Sequence, residues 1–294
     1  MRISTAYQYD NAINRVRDSQ ARMFAFQNQV MTGKRFTHAS EDPLGTSHVM
    51  TASSYKNRVE QLQKNLDSAQ HYLGNGEVAF GDVSDLLRSA YAMAIQGASA
   101  AIDTDARAAM SQEIEIMQRR LVELANTQGS QGQYIFAGHR SNTKPFANSP
   151  PNLGFLGDQN AILVEIRPAE VMVVNQTSAV TLFTDAYNAM ERMQNNMLSG
   201  NIQLLSSESI PELQKSLKDF TTSRADMGAK MKSLEEVKAQ NTRRLDDLTK
   251  DISDITEVDL ASALTKYQEA ETAYSASLQM TSRGFQLSLM DFLR

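Results

Sequence analysis

The residues of this chain that could do chemistry are few, and each lacks the company its chemistry requires. Ser53-Ser54-Tyr55-Lys56 spells S-x-x-K, a spacing that sets a lysine amine beside a serine hydroxyl and could make it a nucleophile. No S-D-N or K-T-G element accompanies it, and it falls in a helix of polar pattern, so it reads as a chance match. The four histidines, His38, His48, His71 and His139, show no i, i+4 pairing that would set two ligands on one helical face. They read as surface or loop residues. Glu235-Glu236 and Asp246-Asp247 fall on the outer side of a predicted helix, as a solvated surface would, and not as an acid–base pair. Gly33-Lys34 lacks the first glycine of a phosphate-cradling loop, and Asn175-Gln176-Thr177 is a lone sequon. With no cysteine in the chain, thiol nucleophiles, disulfides and cysteine-ligated metals are excluded. The expectation is a protein that is not an enzyme and holds no cofactor or metal.

The elements that carry these residues say more. Tyr9, Val16, Met23 and Val30 recur every seven residues, with Ala12 and Phe26 between them. Near the other end Leu260, Leu264, Tyr267, Tyr274, Leu278, Phe285 and Phe292 mark one helical face over nearly five heptads. A seam of period 3.5 wants a facing helix, because a lone helix cannot hide it. The two ends are candidates for meeting each other or another subunit. Isolated helices are marginal without packing, so the ends are expected to order only when neighbours complete the seam.

Bulk composition fits a folded protein: 41 % hydrophobic and 21 % charged in 294 residues. A net charge of −5 argues against a general nucleic-acid binder. No apolar run is long enough to span a bilayer, and the N-terminus has no h-region with a cleavage site.

Read along its length, the chain is mainly α with a small β insert: a long antiparallel helical bundle or coiled coil built from both halves. The divisions expected are an N-terminal helix and turn at 1–50, a first helical arm at 51–138, a β-rich outer module at 139–183, a return arm at 184–257 and a terminal helix at 258–294. Residues 5–32 form one helix that Gly33 stops in the left-handed conformation. Asp42 and Pro43 restart it as N-cap and first-turn proline. Asp103-Thr104-Asp105 opens another helix, and Met110, Ile114, Met117, Leu121 and Leu124 form its seam. Ser209 and Glu212 form a capping-box pattern ahead of the return arm. Residues 161–166 and 171–174 are β-rich runs joined by a hairpin turn over Arg167–Glu170.

Met31-Thr32-Gly33-Lys34-Arg35-Phe36, followed by Ala39-Ser40-Glu41-Asp42-Pro43, resembles the turn after the first helix in the bacterial flagellin and hook-associated protein family. Gly33, Lys34, Arg35, Ser40, Asp42 and Pro43 carry that likeness. The end, Leu287-Ser288-Leu289-Met290-Asp291-Phe292-Leu293-Arg294, is similar to the family's terminal helix. Gln131-Gly132-Gln133-Tyr134-Ile135-Phe136-Ala137-Gly138 is similar to the segment found where hook meets filament.

The resemblance implies a structural subunit of the external bacterial flagellum, its termini lining an inner tube and its β module facing outward. It implies unfolded export through the flagellar type III channel after a transient cytoplasmic stage. The implied partners are hook-associated protein 1, flagellin, further copies of itself in a ring, and an export chaperone at the C-terminal helix. Nucleic acid and membrane insertion are not implied. The N-terminal residues Tyr9, Val16, Met23, Phe26 and Val30 and the seven C-terminal seam residues would then serve assembly. Two alternatives stay open: a flagellin filament subunit, and a cytosolic coiled-coil adaptor.

Overall fold

The computed structural model describes residues 2–129, 132–149 and 152–292. Among the described residues the elements follow in the order α1 (Arg2–Thr32), α2 (Pro43–Gly97), α3 (Thr104–Ala125), β1 (Phe146–Ser149), β2 (Asn152–Phe155), β3 (Leu163–Arg167), β4 (Glu170–Val173), α4 (Ala179–Leu198), the single turn α5 (Ile202–Leu204), α6 (Ile210–Thr256) and α7 (Leu260–Phe292). The chain divides into two compact units. One holds Met1–Arg58 with Arg244–Arg294, and the other holds Val59–Arg243.

The larger unit is built on a seam in α2 that never breaks register. Val59, Leu62, Leu66, Ala69, Leu73, Gly76, Phe80, Val83, Leu87, Ala90, Ala94 and Gly97 alternate steps of three and four, and all are buried. Leu86 and Met93 sit half-buried at its edge. Gly76, which does not register as an apolar seam residue in the sequence, admits the Met227 thioether, whose sulfur would lie 3.4 Å from an added Cβ.

Helices α2 and α6 run antiparallel, with Glu77 paired to Arg224 and Asp67 to Lys238 at the edge of the seam. In α3 the seam runs Arg107, Ser111, Ile114, Gln118, Leu121 and Ala125, leaving Met110 and Met117 half-buried beside it. Asp103 caps this helix, its carboxylate accepting from the Ala106 amide at 2.7 Å. The buried Arg107 guanidinium donates to the Gly97 and Ser99 carbonyls at 3.1 and 3.0 Å. A cation there satisfies acceptors that the end of α2 leaves open and opposes the negative end of its dipole.

Five phenylalanines lock these elements together. Phe183 of α4 lies 5.2–5.8 Å, centroid to centroid, from Phe80 of α2, Phe136, Phe146 of β1 and Phe220 of α6. Phe136 comes from the Tyr-Ile-Phe-Ala-Gly segment, which turns back to insert into the core. Tyr72 donates its hydroxyl to the Ile135 carbonyl, and burial raises its pKa to about 12. Gly138 closes the segment at φ +63°, where a Cβ would stand 2.4 Å from the Asp158 carbonyl oxygen.

The β3–β4 hairpin forms where the sequence suggests, turning at Pro168-Ala169. A second hairpin, β1–β2, was not anticipated; it pairs Phe146 with Phe155. The capping box expected at Ser209 and Glu212 does not form. Ser209 ends a π-helical segment, Leu205–Ser209, that runs into α6, so no helix begins there. Its hydroxyl instead accepts from the Asn196 side chain at 3.0 Å, while Glu212 accepts from Arg192 at 2.7 Å.

Because Phe183 is fully buried among four rings, Phe183→Ala should lower the unfolding free energy of the 59–243 unit by about 3–5 kcal/mol. Urea denaturation followed by helical circular dichroism reads this directly. A loss below about 1 kcal/mol would contradict the central place given to the cluster.

Candidate assembly surface

The smaller unit brings the two ends of the chain together. Beyond α1 the backbone forms a short antiparallel bridge to the segment between α6 and α7. Lys34 faces Glu257, the Arg35 amide donates to Thr256 O at 2.7 Å, and the Val258 amide donates to Gly33 O at 3.0 Å. Gly33 makes this possible by stopping α1 at φ +68°, a conformation that costs a glycine little. From that bridge α1 and α7 run antiparallel along each other. Both ends are helical, and each lies against the other.

The turn from α1 to α2 is held by polar contacts. Asp42 caps α2, accepting from the Gly45 amide at 2.9 Å, and pairs with Arg35 at 3.0 Å. Glu41 accepts from the Thr37 amide at 2.7 Å. The Gly45 amide, aided by Arg35, holds the Asp42 carboxyl below its ordinary pKa, and the Thr37 and His38 amides do the same for Glu41. Gln29 donates to the Arg35 carbonyl at 2.9 Å, and the Arg35 guanidinium lies 5.8 Å from the centre of the Phe36 ring. Ser40 is exposed in the turn, and Pro43 opens α2. Gly45 was not singled out in the sequence, yet a Cβ there would stand 2.5 Å from the Asp42 carboxylate.

The expected assembly residues separate into two sets. Tyr9, Val16, Met23, Phe26 and Val30 are all half-buried, around the buried Ser19 of α1. On α7 the single stripe read from the sequence splits. Tyr267 and Tyr274 are half-buried, in line with the buried Ala263 and the half-buried Ala270, Ser277 and Thr281. Leu260, Leu264 and Leu278 are exposed instead. Phe285 and Phe292 belong to α7, but their side chains lie outside the described residues, as does Gln131. The covered face of α7 is thus made of tyrosines and small residues. Its signal, alternating steps of four and three from 263 to 281, is present in the sequence but hidden by residue size.

Ser53 and Lys56 lie half-buried on α2. His38, His48 and His71 are exposed, and His139 lies 3.5 Å from Asp158. Glu235, Glu236, Asp246 and Asp247 are exposed on α6. Asn175 is buried with both ends of its amide engaged: it accepts from the Ile162 amide and donates to Asn160 O, each at 2.8 Å. Among the described residues no group of three potential ligands is placed to hold a metal.

Comparison with known proteins places this geometry. Residues 3–141 match the bacterial flagellin N-terminal helical region, and residues 210–293 match the C-terminal helical region. The flagellar hook-associated protein 3 of Escherichia coli strain K12 is 23 % identical over 302 residues, covering 94 % of this chain and 95 % of the relative. Among solved structures, flagellar hook-associated protein 3 of Legionella pneumophila superposes with a TM-score of 0.64 at 13 % identity, over 70 % of this chain and 98 % of that one. FlgL of Bacillus cereus superposes with a TM-score of 0.60 at 20 % identity, over 69 % of this chain and 99 % of that one. These structures share the fold. With the N-terminal and C-terminal helical regions both matched, over most of its length, the chain belongs to the bacterial flagellin family.

Proposed function

We propose that this chain is a structural subunit of the external bacterial flagellum that joins the hook to the filament. The observation that carries the reading is the nearly end-to-end match to a flagellar hook-associated protein 3, with almost the full length of both chains aligned. The α1–α7 pair supplies the means. Its inner seam is only half-covered, and the Leu260, Leu264 and Leu278 side of α7 is open for a neighbour.

In this reading hook-associated protein 1 lies on one side, flagellin on the other, and further copies complete a ring. Export through the flagellar type III channel and chaperone shielding of the C-terminal helix belong to the same proposal. The role is mechanical: burying apolar surface between subunits, with no bond made or broken. A filament subunit is the second reading, since both matched regions carry the flagellin description. The end-to-end likeness to a hook-associated protein favours the junction.

Removing the gene should leave hooks without filaments and release flagellin into the medium, and the intact chain should restore motility. Versions lacking residues 1–32 or 260–294 should restore none of it. Filaments of normal length in the deletion strain would overturn the junction role, and absence of flagellin from both cells and medium would point to the filament subunit itself.

The α1–α2 turn makes a pH prediction. Asp42 and Glu41 have folded pKa values below their ordinary ones, so their stabilisation is complete above the ordinary carboxylate values and is lost as pH falls through the lowered ones. Carboxyl NMR titration should give each residue a midpoint below that of the same carboxyl in an unfolded peptide of this turn, with the Gly45 and Thr37 amide shifts following them. Midpoints at or above the peptide's would remove the caps from the account.

A further inference from the structure

Asn75-Gly76 is the only Asn-Gly pair in the chain, and it lies inside α2, where neither residue type favours a helix. With Gly74 before it, three poor helix formers stand in a row between the buried Leu73 and Phe80. Their surroundings differ. A Cβ added at Gly76 would stand 3.4 Å from the Met227 sulfur, so packing favours glycine there. Asn75 is half-buried, with its amide nitrogen 3.5 Å from where a Cβ at Gly129 would lie. A Cβ at Gly74 would meet nothing within 4 Å.

An asparagine followed by glycine can react with its own backbone. The Gly76 nitrogen, on losing its proton, attacks the Asn75 side-chain carbonyl carbon, and no Cβ on the glycine hinders the approach. The N–Cγ bond forms, the Cγ–Nδ2 bond breaks, and ammonia leaves with the proton. The product is a five-membered succinimide. Water then adds to one of its two carbonyl carbons. Opening at Cγ gives aspartate, and opening at the backbone carbonyl gives isoaspartate, whose main chain runs through Cβ and Cγ. Solvent water is the only co-reactant.

The folded helix opposes the first step twice. The Gly76 amide is engaged with the carbonyl four residues back, that of Tyr72. Ring closure also needs Cβ and the Gly76 nitrogen eclipsed about the Asn75 Cα–C bond, and a helical ψ holds them well apart. Neither restraint operates in an unfolded chain. Once formed, isoaspartate adds one backbone carbon between Leu73 and Phe80. The two then cease to share a helical face, and the seam of α2 loses its step.

We propose that Asn75 is a modification site that reads the folding state of the chain. It reacts slowly while α2 is helical and fast when the chain is unfolded, and its isoaspartyl form no longer rebuilds the 59–243 unit. Time spent unfolded, and not age alone, then sets the fraction of chains that can still fold.

The test holds the full-length chain at neutral pH with and without guanidinium. Peptide mass spectrometry follows each asparagine, and an isoaspartyl methyltransferase serves as the specific probe. Asn75 should convert at least about tenfold faster in denaturant, where the helix no longer has to open first. Asn65, followed by Leu66, is the internal control and should change little in either arm. Equal rates at Asn75 in the two arms would overturn protection by the helix. On dilution, unconverted chains should regain their helical circular dichroism and isoaspartyl chains should not. Modified chains that refold with an unchanged denaturation midpoint would overturn the block.

Gly74→Ala tests the same claim without touching the reacting pair. The added methyl group meets no neighbour and favours the helix, so native-state conversion should slow about fivefold while the rate in denaturant stays the same. A native rate that does not fall, or a denatured rate that falls equally, would overturn control by opening of α2.

Discussion

A helix whose apolar residues recur every three and four positions has one face it cannot leave to water and no means of covering it alone. That constraint governs both units of this chain. In the larger unit α2 meets it with α6, and the four-and-three steps of α4 from Ala179 to Met197 meet it in turn. In the smaller unit α1 and α7 meet it with each other, but incompletely. Where the larger unit sets phenylalanine and leucine against one another, the facing side of α7 is built of alanine, serine, threonine and tyrosine. Small residues let two helices lie close, yet they bury little area, so larger side chains stay at the margins.

The larger unit shows what full coverage requires. Its helices supply the seams, but the Phe80, Phe136, Phe146, Phe183 and Phe220 cluster draws a loop and a strand into the same core. Edge-on and tilted ring contacts hold the elements at fixed orientations in a way that aliphatic packing alone does not. The Tyr-Ile-Phe-Ala-Gly segment therefore has a structural reason for its composition. Phe136 fills the core, the Ile135 carbonyl receives the Tyr72 hydroxyl, and Gly138 accepts a backbone conformation and a closeness to Asp158 that a side chain would forbid.

Polar groups do local work throughout. Arg107 closes the end of α2, Asp103 opens α3, and Asp42 opens α2 while engaging Arg35. The Ser53–Lys56 tetrad and the paired acids lie on half-buried or exposed helix positions.

Much of this was legible in the sequence because heptad spacing, glycine stops and aspartate caps act over a few residues. Gly33, the Asp42-Pro43 start, the Asp103 cap and the β3–β4 hairpin are all local decisions. The sequence could not tell that Gly76 belongs to the α2 seam, that Ser209 lies within a π-helical turn, or that Phe146 and Phe155 pair across a second hairpin. Each depends on what faces it from a distant part of the chain: Met227, Asn196 and the aromatic core. For the same reason the stripe on α7 looked like one surface. Periodicity shows that a helix has an apolar side, but only the position of α1 divides that side into tyrosines that are covered and leucines that are not.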